Sequence, residues 1–166
     1  DEQDQLAACL NKHGAVLGIR EHMAAKASSY SSALQDLPTL QLGNNQFSNI
    51  EMLYRQAEIL ITDYSSCFID FMLTGKPQIC FAYDLQSYAQ SERGLFYDLE
   101  TVFPGPICQE FSSLLQALDG ALSNDTSTLD PGYAFKRKIF FDFIDDSNAA
   151  RVVQHVKAEF LESVSA

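Results

Sequence analysis

No apolar run in this 166-residue chain approaches the length of a membrane span, and its first residues lack a signal-peptide pattern. Positive charge is scarce. Eleven Lys and Arg stand against 22 Asp and Glu, a formal net charge of −11, which argues against a general affinity for nucleic acid or anionic lipid. Phosphate is not excluded, because helix N-termini and one or two basic side chains bind it even in an acidic protein. Cysteine is sparse and unpatterned. Cys9, Cys67, Cys80 and Cys108 lie apart in apolar contexts, with neither metal-ligand spacing nor a disulfide framework. Reduced core thiols, no metal site and a cytoplasmic location are therefore expected. Internal repeats and low-complexity tracts are missing, and the linker-like stretch at 123–131 is too short to divide domains. What remains is an ordinary globular composition, 46% hydrophobic and 20% charged, so residues 1–166 are expected to form one domain with a real core.

The most informative stretch begins at Glu58. Ile59, Leu60 and Ile61 form a short aliphatic run, as expected of a strand buried on both faces of a parallel sheet. Residues 63–66 (Asp-Tyr-Ser-Ser) make a polar turn, and 67–73 are apolar nearly all round, with Phe68, Phe71 and Met72 at helical spacing. Gly75 sits at a left-handed C-terminal position, Pro77 blocks continuation, and 78–82 read as the next strand. A strand–turn–helix–strand unit gathers polar residues at the carboxyl end of its first strand, the ligand position of doubly wound α/β proteins. Ser65 and Ser66 suit a helix cap and also an anion held by the first helical turn; the two serines alone favour the cap.

Elsewhere, residues 1–13 read as a helix stopped by Gly14, 15–20 as the first strand, 39–42 as a second, and 49–55 as a helix capped by Ser48 or Asn49. The stretch 83–94 lacks periodicity and reads as a polar loop, while 95–99 are expected to bury their aromatics against the sheet edge. Phe111, Leu114, Leu115 and Leu118 mark an amphipathic helix with Gln109, Glu110 and Gln116 exposed, and Val152, Val153, Val156 and Phe160 mark a final one. Lys136, Arg137 and Lys138 read as a solvated helix face, and His13 and His155 as surface residues. Asp70 is expected to hydrogen-bond a neighbouring loop. The alternation predicts an α/β, Rossmann-like, mostly parallel sheet with strand order 2-1-3-4-5.

The wording Ile61-Thr62-Asp63-Tyr64-Ser65-Ser66, followed by Phe68, Asp70-Phe71, Lys76-Pro77, Tyr83-Asp84-Leu85 and Pro104-Gly105-Pro106, closely resembles the C-terminal region of the CDP-glycerol glycerophosphotransferases, the teichoic-acid and capsule polymerases of bacteria. The likeness runs over about residues 15–156. It implies the donor-binding lobe of a two-lobed GT-B-type transferase, one that moves glycerol phosphate or a related polyol phosphate from a CDP donor to a polymer. By the same resemblance, Arg20-x-His22 matches the family's Arg-x-His, with His22 the catalytic residue near the donor's phosphates. A forked guanidinium suits a diphosphate, and a histidine suits a leaving oxygen. Arg20, Asp63, Tyr64, Ser65, Ser66, Tyr83, Asp84 and Arg93 are then the donor- and phosphate-binding candidates. Arg93 corresponds to a loop that is often Arg-Gly-Phe-Tyr in the family.

Two departures stand out. Met23 occupies a position that is usually proline in the family, and neither the family's upstream strand nor its N-terminal lobe, with the acceptor site and a further histidine, has a counterpart here. The expectation is thus a fragment with a CDP-polyol donor, no required cofactor or metal, a polymer acceptor engaged through the other lobe, no nucleic acid partner, and at most peripheral membrane contact in the full-length protein. A sugar-nucleotide glycosyltransferase lobe and a non-catalytic nucleotide- or partner-binding module are the competing readings.

Overall fold

The computed structural model describes residues 1–21, 34, 37–43, 45–90, 94, 96–123 and 131–161. Local signals set most element boundaries. Helix α1 (Glu2–His13) begins where the Asp1 carboxylate accepts from the Asp4 backbone N–H at 2.9 Å, and ends at Gly14, whose φ of 61° is a left-handed cap. Strand β1 (Leu17–Ile19) pairs in parallel with β2 (Thr39–Gln41). Helix α2 (Ile50–Gln56) is capped by Asn49, whose side-chain oxygen accepts from the Glu51 and Met52 N–H groups. Strand β3 (Leu60–Thr62), helix α3 (Cys67–Phe71), a 3-10 turn (Met72–Thr74), Gly75 at φ 73° and β4 (Gln78–Phe81) follow in the expected order.

Past β4 the chain is more helical than its sequence suggests. The supposed loop at 83–94 contains a short helix, α4 (Leu85–Ala89). Helix α5 (Leu99–Val102) buries Leu99 and Val102, whereas Phe96 is 90% exposed, contrary to the expectation of buried aromatics there. Strand β5 (Ile107–Cys108) leads into α6 (Phe111–Ser123), which buries Leu114 and Leu118 and leaves Gln109, Glu110 and Gln116 exposed. Helix α7 (Pro131–Phe140) and α8 (Asn148–Val156), the latter continued by a π turn (Lys157–Leu161), are the last described elements. Of the supposed linker at 123–131, residues 124–130 lie outside the described residues, and Ser123 and Pro131 belong to the flanking helices. Among the described residues no helix is long and apolar enough to cross a membrane.

The fold is α/β, with every strand pair among the described residues parallel, but the expected order 2-1-3-4-5 separates into two hydrogen-bonded ladders, β1-β2 and β3-β4-β5. Leu17 of β1 joins Ile59 and Ile61 in one apolar cluster, so side-chain packing rather than a backbone ladder links the two halves. The central strand is β4, not β3. Gln78, Ile79 and Cys80 are 1%, 1% and 0% exposed, whereas Leu60, Ile61 and Thr62 are half-buried at the edge of their ladder. Alternation along β4 sends Ile79 to the α1–α6 side and Cys80 to the side covered by α3, α5 and α7.

Two tertiary locks hold this centre. A Cβ on Gly105 would lie 1.7 Å from the Gln78 carbonyl oxygen, so only glycine lets the Pro-Gly-Pro segment reach β4, where Cys80 N–H donates to the Pro106 carbonyl at 2.9 Å. Tyr133 on α7 donates to the Lys76 carbonyl at 3.0 Å and accepts from Gln78 Nε2 at 3.1 Å, which gives partners to polar groups next to the core. Gly105→Ala is expected to lower stability by about 1–3 kcal/mol, the range for forced overpacking. Gly120→Ala in α6, where an added Cβ meets nothing within 4 Å, should raise it by about 0.5–1 kcal/mol through helix propensity. Denaturant unfolding of the two variants reads opposite signs.

Candidate functional site at the carboxyl edge of β3 and β4

Strands β3 and β4 run parallel with Thr62 opposite Cys80, so the turn at 63–66 and the segment at 82–84 emerge at one edge. The contact that joins them is a hydrogen bond of 2.7 Å from the Tyr64 hydroxyl to Asp84 Oδ1. Tyr88, one turn along α4, stacks on the Tyr64 ring at 4.0 Å between centroids and 20° between planes, and its N–H donates to the Asp84 carbonyl. Burial, followed by the bond to Asp84 and that carboxylate's charge, pushes the Tyr64 phenol well above its usual range, so it remains a donor. Tyr88 carried no signal as a site residue in the sequence, because its partner lies 24 positions away on another turn.

The turn itself is held by Asp63, whose Oδ1 accepts from the Ser65 N–H at 2.9 Å. Ser65 Oγ accepts from the Cys67 N–H at 3.4 Å, a long contact, and Ser66, at the N-cap position, makes no side-chain cap bond. The capping role expected of the two serines therefore falls weakly to Ser65. Asp63, Ser65 and Ser66 are exposed at this edge. Helix α3 is only five residues long, so its dipole is small and the hydroxyls and turn N–H groups carry more of any anion contact. Beneath the turn, Cys80 Sγ lies 3.5 Å from the Asp63 carbonyl. Burial, then the charge of Asp63 and the neighbouring Cys108, pushes the Cys80 thiol up to about 11, so it stays neutral.

Arg20 follows β1 as expected but is not a free fork: its Nη1 donates to the carbonyls of Leu42 at 3.1 Å and Phe47 at 2.8 Å. It braces the segment after β2. The Tyr54 phenol is pushed up to about 12, mainly by burial; Cys67 and Asp70 act in the same direction and Arg20 opposes them, so Arg20 lies within electrostatic reach of the α3 side of the site. Tyr83 is 67% exposed, beside Phe81. Asp70 is exposed, not tucked against a loop. His22 and Arg93 lie outside the described residues. Asp63 and Asp84 place two carboxylates at this edge.

A cleft of about 510 Å³ opens nearby, lined by Leu85, Asp98, Glu100, Gly105, Gln109 and Lys136 among others. Its lysine is committed elsewhere: Lys136 Nζ donates to the carbonyls of Glu100 and Phe103, both at 2.8 Å, at the end of α5. With two carboxylates on its wall, the cleft is unsuited to phosphate. The same contacts correct the reading of 136–138 as a solvated face, since Lys136 and Arg137 are half-buried. Lys76 likewise caps α2, donating to the carbonyls of Arg55 and Ala57 at 3.0 and 2.7 Å. His155 is exposed, as expected, but His13 is not a plain surface residue, because its Nε2 lies 2.8 Å from Asp119 Oδ1.

Tyr64→Phe should cost roughly 1.5 kcal/mol at neutral pH, the worth of a hydrogen bond to a charged acceptor. The folded state keeps the Tyr64 proton above the ordinary tyrosine range, so the wild type loses stability as pH rises past about 10. Denaturant melts in alkaline buffers should give a shallower loss for the phenylalanine variant.

The model of the family CDP-Glycerol:Poly(glycerophosphate) glycerophosphotransferase matches residues 2–158. A teichoic acid glycerol-phosphate transferase of Staphylococcus aureus is 31% identical over 112 residues, 68% of this chain and 28% of that protein. A teichoic acid poly(glycerol phosphate) polymerase of Bacillus subtilis is 34% identical over 79 residues, 48% of this chain and 11% of that one. The chain thus spans less than a third of the length of these curated relatives. The solved structure of the wall teichoic acid polymerase TagF shares the fold, with a TM-score of 0.66 at 23% identity over 98% of this chain and 39% of that chain. This chain belongs to the CDP-glycerol:poly(glycerophosphate) glycerophosphotransferase family.

Proposed function

We propose that this chain is the nucleotide-donor-binding domain of a larger transferase, which moves glycerol phosphate or a related polyol phosphate from a CDP donor to a growing teichoic-acid or capsular polymer. The observation that carries the reading is the Tyr64–Asp84 bond, which ties the turn after β3 to the turn after β4 at the edge where the family's wording is concentrated. Family membership and the printed activities of the relatives support the substrate class.

In this reading the hydroxyls of Ser65 and Ser66 and the Ser66 N–H hold the diphosphate, and Asp63 shapes their turn by accepting from the Ser65 N–H. Asp84 and Tyr83 face the nucleotide, with Tyr64 fixing Asp84. Arg20 supplies positive potential and holds the neighbouring segment, Arg93 adds a phosphate contact, and His22 serves as acid or oxyanion partner for the departing phosphate. Phosphoryl transfer asks a protein chiefly for such positioning and charge stabilisation. The acceptor polymer is engaged by parts of the full-length protein beyond this domain, at the inner face of the cell membrane.

Calorimetric titration of the chain with CDP-glycerol, CDP-ribitol, a UDP-sugar and CTP tests the reading. A preference for the CDP-polyols is expected; a preference for the UDP-sugar, or no nucleotide binding at all, would refute it. Ser66→Ala should weaken CDP-polyol binding by roughly 1 kcal/mol and leave the unfolding midpoint unchanged, since Ser66 makes no cap bond. In the full-length enzyme at saturating donor, His22→Ala should lower turnover by about 10²-fold or more; unchanged turnover would remove His22 from the chemistry.

A further inference from the structure

Away from that edge, α1 and α6 meet along a seam that carries three different ligand types. Cys9 and His13 are four residues apart on α1 and so share one helix face. Asp119 projects from α6. His13 Nε2 lies 2.8 Å and Cys9 Sγ 4.0 Å from Asp119 Oδ1, and the three ligand atoms all fall within 4.8 Å of one another. We propose that Cys9, His13 and Asp119 form a binding site for a zinc-class divalent cation that fastens α1 to α6.

The donor set decides the class of ion. A thiolate, an imidazole and a carboxylate are the ligands zinc takes, whereas magnesium and calcium demand oxygen. Three protein ligands leave the fourth tetrahedral position to water. Ligand atoms at this spacing need shifts of a few tenths of an ångström to about one ångström to close on an ion about 2.0–2.3 Å from each. An entry path exists: a cleft of about 410 Å³ between the helices is lined by Gln5, Cys9, Ser112, Gln116 and Asp119.

The seam already gathers positive charge on Asp119. Lys12 Nζ lies 2.6 Å from the same Oδ1, and these contacts hold the Asp119 carboxyl below its usual range. The Lys12 side chain is 59% exposed, so it can swing into solvent when an ion takes its place; Lys12 is the site's internal competitor. Burial, reinforced by Asp119, keeps the Cys9 thiol protonated in the ion-free protein. On binding, the S–H proton leaves to solvent, the thiolate bonds the metal, and His13 ligates as neutral imidazole through Nε2. The site lies beside the amino end of β1, since Gly14 leads directly from His13 toward that strand, so its role is structural rather than part of the carboxyl-edge site.

Titration of the purified chain with Co²⁺ as a spectroscopic probe, and with Zn²⁺ during thermal unfolding, tests this. Expected are one Co²⁺ per chain with a sulfur-to-cobalt charge-transfer band, displacement by Zn²⁺, and a Zn²⁺-dependent rise in the unfolding midpoint. Cys9→Ser should abolish the band and Cys67→Ser should keep it. His13→Gln and Asp119→Asn should each weaken Co²⁺ binding by at least about tenfold, the loss that even an outer-shell partner carries, and Lys12→Ala should strengthen it. Circular dichroism establishes that each variant is folded. If Cys9→Ser does not fold, the His13 and Lys12 variants decide. A folded wild type with neither band nor midpoint shift overturns the site, as does a band that persists in Cys9→Ser or an unaltered affinity in His13→Gln.

Discussion

The burial of β4 on both faces is the constraint from which the rest of the domain follows. A strand with no exposed side at Gln78, Ile79 and Cys80 must have a helical layer on each face and a partner strand on each side. Each requirement has an identifiable residue behind it. Gly105 lets β5 approach, Tyr133 accepts from the buried Gln78 Nε2 at the start of the strand, and Ile79 and Cys80 point into separate apolar clusters. The Pro-Gly-Pro and Lys-Pro wording of the family thus has a structural explanation here: Gly105 for close approach, and Lys76 for closing the end of α2.

That framework also accounts for how an acidic chain uses its few cations. Arg20, Lys76 and Lys136 each donate to two backbone carbonyls. A long cationic side chain fits this work because it buries its stem while its head satisfies carbonyls left open where helices and strands end. The described part of the carboxyl-edge site is consequently dominated by hydroxyls, backbone N–H groups and two carboxylates. Its rigidity comes from the Tyr64–Asp84 bond and the Tyr88 stack, which fix the relative position of two turns that have no ladder between them.

The C-terminal helices show where a pattern stops short of a contact. Val152, Val153, Val156 and Phe160 follow helical spacing, and Phe135 and Ile139 repeat it on α7, yet all six are exposed. Periodicity reports that a helix has an apolar stripe. What covers the stripe is a property of the assembly and is not written in the helix. Arg151 lies over the Phe143 ring at 4.0 Å and pairs with Asp145, so α8 is fastened locally at its start while its apolar stripe stays open.

Neighbours within about four residues decide the local elements of this chain. The stops at Gly14 and Gly75, the cap at Asn49, the strand–turn–helix–strand run from β3 to β4 and the amphipathic α6 all appear where the caps, breakers and periodicities put them. The wording at 61–66 and 83–85 was enough to indicate the family and the edge of the sheet where its residues gather. Tertiary structure alone decided which strand is central, because an aliphatic run reads the same at the middle or the edge of a sheet and only the number of partners distinguishes them. It also decided that Arg20 grips carbonyls, that Tyr88 belongs with Tyr64, and that His13 meets Asp119 from 106 positions away. Those contacts join residues far apart in the chain, and long-range proximity is set by how layers pack, which no local spacing records.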